Sequence, residues 1–242
     1  MLKSSAVILA GGYSTRLGAD KGLLLLSNKP LIRHVLDSVS SIVDEKIVVV
    51  SSKKQASDYM NILDGETKIC VDQENRQTPL NGALTGFENA QGVYSLLLAC
   101  DTPFVSRNVL AFLLDLAPKK TAVIPRWPNC QIEPLHAVYH TQLAREAAKN
   151  ALNNREMNMQ ALVNRLRNVR YVSTLVIEQI DPQLVTFFNI NTPLDLKKSR
   201  IHYQKKTITI IAFRNVWQIF RFRRTISLHR LCCALCIMRR CG

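Results

Sequence analysis

The residues best suited to chemistry lie near the amino terminus, where two glycines and then two basic residues follow a short apolar run. The segment Ala6–Lys21 reads AVILAGGYSTRLGADK. Gly11 and Gly12 allow a turn whose backbone amides approach a charged ligand closely, and Arg16 and Lys21 add two cations. The spacing matches neither a Walker loop nor a dinucleotide GxGxxG motif. It predicts a different triphosphate-binding loop, and it also fits a plain strand-to-helix turn with both cations in solvent.

A carboxylate forms the second candidate, because Asp101 directly follows the apolar run Tyr94–Ala99 and Cys100. Mg²⁺ prefers oxygen ligands and usually keeps several waters, so one or two carboxylates together with phosphate oxygens are enough to hold it. Asp101 suits that role. Spacing alone equally favours a structural role, in which Asp101 caps a helix that begins near Ser106 or forms a turn with Pro103.

A second acid, Asp72, follows the short apolar run Lys68–Val71. One carboxylate can accept hydrogen bonds from N1 and N2 of guanine together, whereas cytosine offers no such edge. The residue type is therefore compatible with recognition of a guanine base. An acid in a surface turn is the structural alternative.

These residues need a scaffold that brings strand ends together, and the hydrophobic pattern predicts one. Apolar runs alternate with amphipathic segments, which indicates an α/β fold. Residues 48–50 and 96–98 are apolar on both faces, as in central parallel strands covered by helices, and such sheets bind ligands at the carboxyl ends of their strands. The expected strands are Ala6–Leu9, Ile47–Ser51, Lys68–Val71, Tyr94–Ala99, Ala122–Ile124 and His136–Tyr139, and helices are expected at Pro30–Val43 and Ser106–Leu116.

The amino-terminal residues resemble the signature of the molybdenum cofactor guanylyltransferase family, which runs LAGG, x, S, x, R, M or L, G, x, DK. The matching residues are Leu9, Ala10, Gly11, Gly12, Ser14, Arg16, Leu17, Gly18, Asp20 and Lys21. The resemblance implies a single-domain Rossmann-like nucleotidyltransferase sandwich, GT-A-like, with a mostly parallel central sheet flanked by helices. It also implies that Leu9, Ala10, Gly11, Gly12 and Lys21 bind the nucleotide.

The same resemblance assigns further site residues. Asp101 lies at the family's metal-binding motif, which implies Mg²⁺ as the cofactor. Asp72 lies where a family aspartate contacts the guanosine part of GTP, and Thr78 replaces a glycine in the following loop, where it could alter base selectivity or simply tolerate a negative φ. Asn191 lies in an NxNTP element whose asparagines approach the pterin phosphate and the metal. A turn that caps a final helix fits the same residues.

Three other residues carry weaker indications. His136 and His140 lie on an apolar strand, where a histidine is more often a satisfied core side chain than a proton shuttle. Arg155 matches an arginine on the pterin side of the family, but Asn154 replaces the glycine that precedes it there.

Charge is unevenly distributed. The 242-residue chain carries +14, but residues 197–242 hold 12 basic and no acidic residues, whereas residues 1–196 hold 20 basic and 18 acidic residues and carry only +2. We therefore predict a nucleotidyltransferase domain at residues 1–196, which the resemblance covers from about residue 5. Residues 197–242 form a basic tail outside the family fold.

The tail admits three interpretations: an amphipathic stretch that binds anionic surfaces, a metal site, or an out-of-frame or unfolded extension. Its CxxC has no second pair and its charge is unbalanced, which favours the third. Thr207–Phe213 could instead add an edge strand to the sheet. A metal site would use His229, Cys232, Cys233, Cys236 and Cys241.

The expected setting is the cytoplasm. No signal peptide is recognisable, and the apolar stretches fall short of the roughly 20 residues that a transmembrane helix needs. Cys70, Cys100 and Cys130 lie in apolar surroundings and are expected to be reduced thiols in the core. We expect a monomer without membrane or nucleic-acid partners, which could contact other cofactor-biosynthesis proteins transiently.

The predicted reaction is nucleotidyl transfer, with Arg16, Lys21 and Asp101 as catalytic residues. A terminal phosphate of molybdopterin attacks the α-phosphorus of GTP, pyrophosphate leaves, and molybdopterin guanine dinucleotide forms. Such a step requires alignment and neutralisation of developing charge rather than a covalent enzyme intermediate. The alternatives are a molybdenum cofactor cytidylyltransferase, whose family usually has alanine at the position of Gly11, and a non-catalytic nucleotide-binding protein of the same fold.

Overall fold

The structure is a computed structural model that describes residues 3–11, 13–14, 19–72 and 78–203, with only the backbone described at 13–14. The chain divides into two compact units, Met1–Leu196 and Lys197–Gly242. In the second unit, residues 197–203 are described and are helical. The predictions for Thr207–Phe213 and for the tail's cysteines and His229 lie outside the described residues.

A seven-stranded sheet forms the centre of the first unit. Its strands are β1 (Ser4–Leu9), β2 (Glu45–Val50), β3 (Thr67–Val71), β4 (Tyr94–Ala99), β5 (Ala122–Arg126), β6 (His136–His140) and β7 (Val169–Ser173). They lie in the order β7-β5-β6-β4-β1-β2-β3. Strand β6 is antiparallel to β4 and β5, and the other neighbouring pairs are parallel. The predicted mostly parallel sheet is confirmed.

Helices cover both faces of this sheet. The described α-helices that lie wholly within the first unit are α1 (Leu31–Val39), α2 (Lys53–Met60), α3 (Pro79–Asn89), α4 (Arg107–Asp115), α5 (Thr141–Asn153), α6 (Met159–Arg165) and α7 (Thr174–Ile177). A further helix begins at residue 193. Buried residues of α1, α2 and α4 pack on one face, and those of α3, α5 and α6 pack on the other. In the described part of the chain, no helix combines the length and apolar character needed to cross a membrane.

The central strands are buried because their side chains are apolar on both faces of the sheet. Ala6 and Ile8 of β1 point into one helical layer and Val7 into the other, and all three are fully buried. Full burial of a side chain such as Val7 or Ile8 stabilises the fold by about 1.5–3 kcal/mol. The prediction of central strands covered on both faces is therefore confirmed.

The three cysteines predicted to lie in the core differ in burial. Cys70 and Cys100 are buried, as expected, and Cys130 is exposed. The expected core position is therefore wrong for Cys130, which lies in the turn after β5.

Helix α3 approaches β1 closely because Gly86 has no side chain. A Cβ atom at this position would overlap the Val7 side chain. This close packing directs the amino-terminal end of α3, with Thr78 as its N-cap, toward the carboxyl ends of β1 and β2.

The two helices predicted from the sequence begin within one residue of the predicted positions. Helix α4 matches the predicted Ser106–Leu116 to within one residue at each end. Helix α1 ends at Val39 rather than Val43. The Ser40 hydroxyl donates a hydrogen bond to the Asp37 carbonyl at 3.2 Å, and serine side chains of this kind compete with continued helical bonding.

Candidate functional site

A cleft of about 570 Å³ lies at the carboxyl ends of β1, β2, β3 and β4. This is the edge at which open α/β sheets bind ligands, as the sequence predicted. Its lining residues are Leu9, Gly11, Lys21, Val49, Val50, Ser51, Asp72, Thr78, Pro79, Gly82, Ala99, Cys100, Asp101 and Leu135.

One cation links two polar residues from distant parts of the chain. The Lys21 Nζ atom donates to Asp101 Oδ2 at 2.9 Å and to Asn191 Oδ1 at 2.5 Å. The side chains of Lys21 and Asp101 are only 24% and 14% exposed. The backbone N–H of Ile190 also donates to the Asp101 carbonyl at 2.9 Å, which holds the 190–191 segment beside the acid. Three residues predicted from separate motifs thus meet at one point.

The proposed helix-capping role of Asp101 is wrong, because α4 begins at Arg107 with Ser106 as its N-cap. The alternatives for the Asn191 segment turn out to be compatible. Thr192 and Asp195 form the cap of the helix that begins at residue 193. Asp195 Oδ2 accepts from the Thr192 N–H at 2.9 Å, and Thr192 Oγ1 accepts from the Asp195 N–H at 3.2 Å. The Asn191 side chain is therefore available for Lys21.

Asp72 lies just after β3 and lines the same cleft. Its N–H donates to the Val50 carbonyl at 2.7 Å, and the residue is 6% exposed, so the alternative of a surface-turn acid is wrong. Thr78 begins α3, with its hydroxyl oxygen accepting from the Asn81 N–H at 3.2 Å and with φ at −123°. Such a backbone needs no glycine, which favours the second expectation for Thr78: it tolerates a negative φ and caps the helix.

The loop residues of the predicted signature are partly described. Leu9 and Gly11 line the cleft. Ala10 is buried, and its N–H donates to the Val49 carbonyl at 2.8 Å. Gly12 and Arg16 lie outside the described residues. Their predicted roles stay predictions.

A polar network that sequence reasoning missed lies behind Lys21. Asp20 caps the 3₁₀ turn Lys21–Leu23 by accepting from the Gly22 N–H at 2.9 Å. The same carboxylate accepts from Tyr59 Oη at 2.9 Å and from Gln55 Nε2. Burial raises the pKa of the Tyr59 hydroxyl, so it stays a protonated donor.

Gln55 also joins the two loops that flank the cleft. Its Nε2 donates to the Ala10 carbonyl at 2.8 Å, and its Oε1 accepts from the N–H and hydroxyl of Ser51 at 2.7 and 2.9 Å. The sequence carries no marker for this network, because Gln55 and Tyr59 lie one helical turn apart in α2, whose apolar pattern is weak. Only Asp20 was visible, as part of the signature.

A second buried polar group is the imidazole of His136, the first residue of β6. Burial lowers the pKa of His136 to about 4, so the ring is neutral near pH 7. Its Nδ1 is 4.0 Å from Glu133 Oε2, and neither ring nitrogen has a hydrogen-bond partner among the described residues. The ring of Phe187 meets it edge-on with centroids 5.4 Å apart. The core position of His136 is confirmed, whereas the expectation that it is satisfied there is wrong.

Glu133 is held on the side away from the histidine. Trp127 Nε1 donates to Glu133 Oε1 at 2.6 Å, and burial raises the pKa of this carboxyl. His140 lies at the opposite edge of the sheet, where its ring packs against Tyr94. Arg155 follows α5 in a left-handed conformation with φ at 60°.

The described residues fit a magnesium ion held by few protein ligands. They contain no group of three or more His, Cys, Asp or Glu side chains that could hold a metal. Asp101 and Asn191 nevertheless present two oxygen atoms to one cationic group, the Lys21 ammonium. Oxygen donors of this type match the preference of Mg²⁺, which takes its remaining ligands from phosphate and water.

Comparisons with known proteins agree on one family. Residues 6–169 match the family described as MobA-like NTP transferase domain. A probable molybdenum cofactor guanylyltransferase of Methanosarcina mazei is 33% identical over 207 residues, which cover 84% of this chain and 92% of that protein. Its counterpart in Methanosarcina acetivorans is 33% identical over 199 residues, covering 80% and 88%. A crystal structure of molybdopterin-guanine dinucleotide biosynthesis protein A from Archaeoglobus fulgidus is 28% identical, with a TM-score of 0.72, and covers 83% of this chain and 99% of that chain.

Proposed function

We propose that this chain, which belongs to the MobA-like NTP transferase family, transfers GMP from GTP to the molybdopterin cofactor. The chain is a nucleotidyltransferase. The names of its relatives, molybdenum cofactor guanylyltransferase, support the choice of guanine and of the acceptor, as does the name of the solved Archaeoglobus protein. In this reaction a terminal phosphate oxygen of molybdopterin attacks the α-phosphorus of GTP, and the bond to pyrophosphate breaks.

The observation that carries the proposal is the contact of Lys21 with Asp101 and Asn191 inside the cleft. A cation and two oxygen donors meet there at the carboxyl edge of the sheet, beside the amino-terminal end of α3. The positive end of that helix dipole favours negatively charged groups in the cleft. The arrangement suits a polyphosphate that is bound together with a divalent cation.

Each residue then has a role in binding or in charge neutralisation. Lys21 neutralises negative charge that accumulates on the leaving pyrophosphate. Asp101 and Asn191 would hold Mg²⁺, which supplies Lewis-acid neutralisation of phosphate oxygens when bound. Asp72 would accept from the guanine edge, and Leu9 and Gly11 would border the nucleotide. Arg16, Gly12 and Ala10 complete the proposed nucleotide site.

We further propose that catalysis resides in residues 1–196, with residues 197–242 as a separate basic tail. The net charge of +2 on the first part gives no reason to expect nucleic-acid binding there. A monomer in the cytoplasm, with transient contacts to other proteins of cofactor synthesis, remains our expectation.

The proposal is tested with purified full-length chain, Mg²⁺, molybdopterin cofactor and each of the four nucleoside triphosphates in turn. We expect a dinucleotide product, identified by mass, with GTP and with none of the other three triphosphates. One pyrophosphate should be released for each dinucleotide formed. A reaction that runs with CTP instead would replace the proposal by the cytidylyltransferase alternative. Binding of GTP without any product would favour the non-catalytic alternative.

A further inference from the structure

The Asp20 network connects the interior of the first unit to the cleft. Tyr59 is fully buried on α2, and its hydroxyl reaches the carboxylate of Asp20 rather than a backbone group. Asp20 in turn caps the short turn that begins with Lys21. Lys21 follows Asp20 directly in the chain and carries the ammonium that contacts Asp101 and Asn191. The hydrogen bonds from α2 to Asp20 are therefore connected to the cleft through the backbone of this turn.

The Asp20 carboxylate receives three donors from three different places. They are the N–H of Gly22, the Tyr59 hydroxyl and the Gln55 amide. Hydrogen bonds to an ionised group are shorter and stronger than neutral ones, and three donors from different directions leave the acceptor little freedom to rotate. The carboxylate is therefore held in one orientation, and the turn that it caps is held with it.

The local sequence leaves room for this arrangement. A methyl group at Gly22 would overlap Tyr59 Oη, so the absence of a side chain there is what lets the tyrosine approach. Gln55 adds a second restraint, because the amide that donates to Asp20 also donates to the Ala10 carbonyl. The turn bearing Lys21 is thus tied to the end of β1.

We propose that Tyr59 and Gln55 are positioning residues that hold the Lys21 ammonium toward the bound polyphosphate by orienting Asp20. Neither side chain lines the cleft, and both act through the carboxylate. This inference rests on the proposed function, in which Lys21 meets the phosphates of GTP. It means that the position of the Lys21 ammonium depends on two residues of α2, outside the nucleotide-binding loop.

The test is a double-mutant cycle between Tyr59→Phe and Lys21→Ala, read out as the dissociation constant of GTP with Mg²⁺ by calorimetry. Tyr59→Phe keeps the buried ring and removes the hydroxyl. We expect it to weaken GTP binding about fivefold in the wild-type background and by less than about 1.5-fold once Lys21 is alanine. A positioning role predicts this loss of effect, because the tyrosine then has no ammonium left to orient.

Tyr139→Phe is the matched control. Tyr139 is also fully buried, and its hydroxyl donates to the Pro134 carbonyl at 2.8 Å, a bond of nearly the same length. We expect a similar fall in the thermal unfolding midpoint for both tyrosine variants, with the GTP dissociation constant unchanged in Tyr139→Phe. Equal weakening of GTP binding by Tyr59→Phe in both backgrounds, or by both tyrosine variants, would overturn the positioning role.

A replacement variant and two wild-type measurements distinguish failure of the positioning role from failure of the proposed function. If Tyr59→Phe does not fold, Asp20→Asn replaces it in the same cycle with the same expectation. A wild-type chain that binds GTP but forms no dinucleotide refutes the proposed function, while the cycle still decides the role of Tyr59. A wild-type chain that binds none of the four nucleoside triphosphates overturns both.

Discussion

Two regions beside the carboxyl edge of the sheet bury polar side chains in opposite ways. We call Asp20, Lys21, Gln55 and Tyr59 the loop network, and Trp127, Glu133, His136 and Phe187 the histidine cluster. In the loop network every one of the four side chains has a hydrogen-bond partner, and Lys21 continues into the cleft. In the histidine cluster the imidazole has aromatic neighbours but no described hydrogen-bond partner.

The contrast shows that a perturbed pKa does not by itself identify a site. Burial raises the pKa of Tyr59 and lowers that of His136. Only Tyr59 is hydrogen-bonded to a group that leads to the cleft. The two regions differ in whether their buried polar side chains are hydrogen-bonded to a group that leads to the cleft. Substitutions in each region test this difference.

The largest expected effect is at the cleft end of the loop network. Asp101→Ala removes the carboxylate that faces Lys21 and, in the proposed function, the magnesium ligand. We expect Mg²⁺-dependent guanylyl transfer to fall by at least about 10²–10³-fold, because the removed charge acts where charge develops in the transition state. The measurement is the initial rate of pyrophosphate release across a magnesium titration.

Asp115→Ala provides the control, since Asp115 is an exposed acid at the end of α4. It should leave the rate unchanged. An Asp101→Ala enzyme that keeps most of its magnesium-dependent rate would show that the contact with Lys21 is structural only.

A smaller effect is expected at the centre of the loop network. Gln55→Glu keeps the shape of the side chain but replaces the donor to Asp20 and to the Ala10 carbonyl by a second carboxylate. We expect the free energy of unfolding at pH 7 to fall by about 2–4 kcal/mol, because a second carboxylate is buried against that of Asp20 and the Ala10 carbonyl loses this donor. Chemical denaturation of the two proteins gives this difference.

The same substitution on the surface serves as its control. Gln142 is exposed on α5 and donates to Glu146 Oε1 at 3.2 Å. Gln142→Glu also places two carboxylates together, but solvent screens them, so the loss should be only about 0.2–0.5 kcal/mol. Similar losses in both variants would mean that the loop network is not a buried, mutually dependent unit.

The smallest effect on activity is expected in the histidine cluster. His136→Phe removes two ring nitrogens that have no hydrogen-bond partner among the described residues, and it keeps an aromatic ring against Phe187. We expect turnover to change by less than about twofold and the free energy of unfolding at pH 7 to rise by about 1 kcal/mol. His34→Phe should instead destabilise the fold, because His34 Nε2 lies 3.0 Å from the Leu26 carbonyl and that hydrogen bond is lost.

The pH dependence adds a further test of the same variant. The pKa of His136 is about 4 in the folded chain and about 6.5 when unfolded, so the unfolded state binds the proton more tightly. Stability is unaffected by this group above about pH 6.5 and is lost as pH falls toward 4, by up to about 1.4 kcal/mol per pH unit. Glu133, with a raised pKa, acts in the opposite direction in both proteins. Denaturation at pH 7, 6 and 5 should show this loss in the wild type and a shallower one in His136→Phe; equal slopes would contradict the neutral buried imidazole.

Much of the fold could be predicted from hydrophobic patterns. Residues 6–8 of β1 and 96–98 of β4 are uniformly apolar, because both faces of these strands are covered, and the sequence shows this directly. Strand β7 and helices α2, α3, α5, α6 and α7 were not predicted. For two of these elements, β7 and α2, the reason lies in their composition. The first has a single buried residue, Val172, and the second is mostly polar, so neither has the apolar periodicity on which such predictions depend.

For the site, local sequence was enough to indicate the chemistry. It shows the glycines that bend the loop, and it places Lys21, Asp72, Asp101 and Asn191 after a strand or in a recognisable motif. Their types and local spacing are one-dimensional properties. The tertiary structure alone decided that Lys21 joins Asp101 and Asn191, and that Tyr59 and Gln55 support Asp20 from 39 and 35 residues away. Such contacts depend on how helices pack on a sheet. Packing brings together residues that are far apart along the chain, and no local sequence pattern indicates that they will meet.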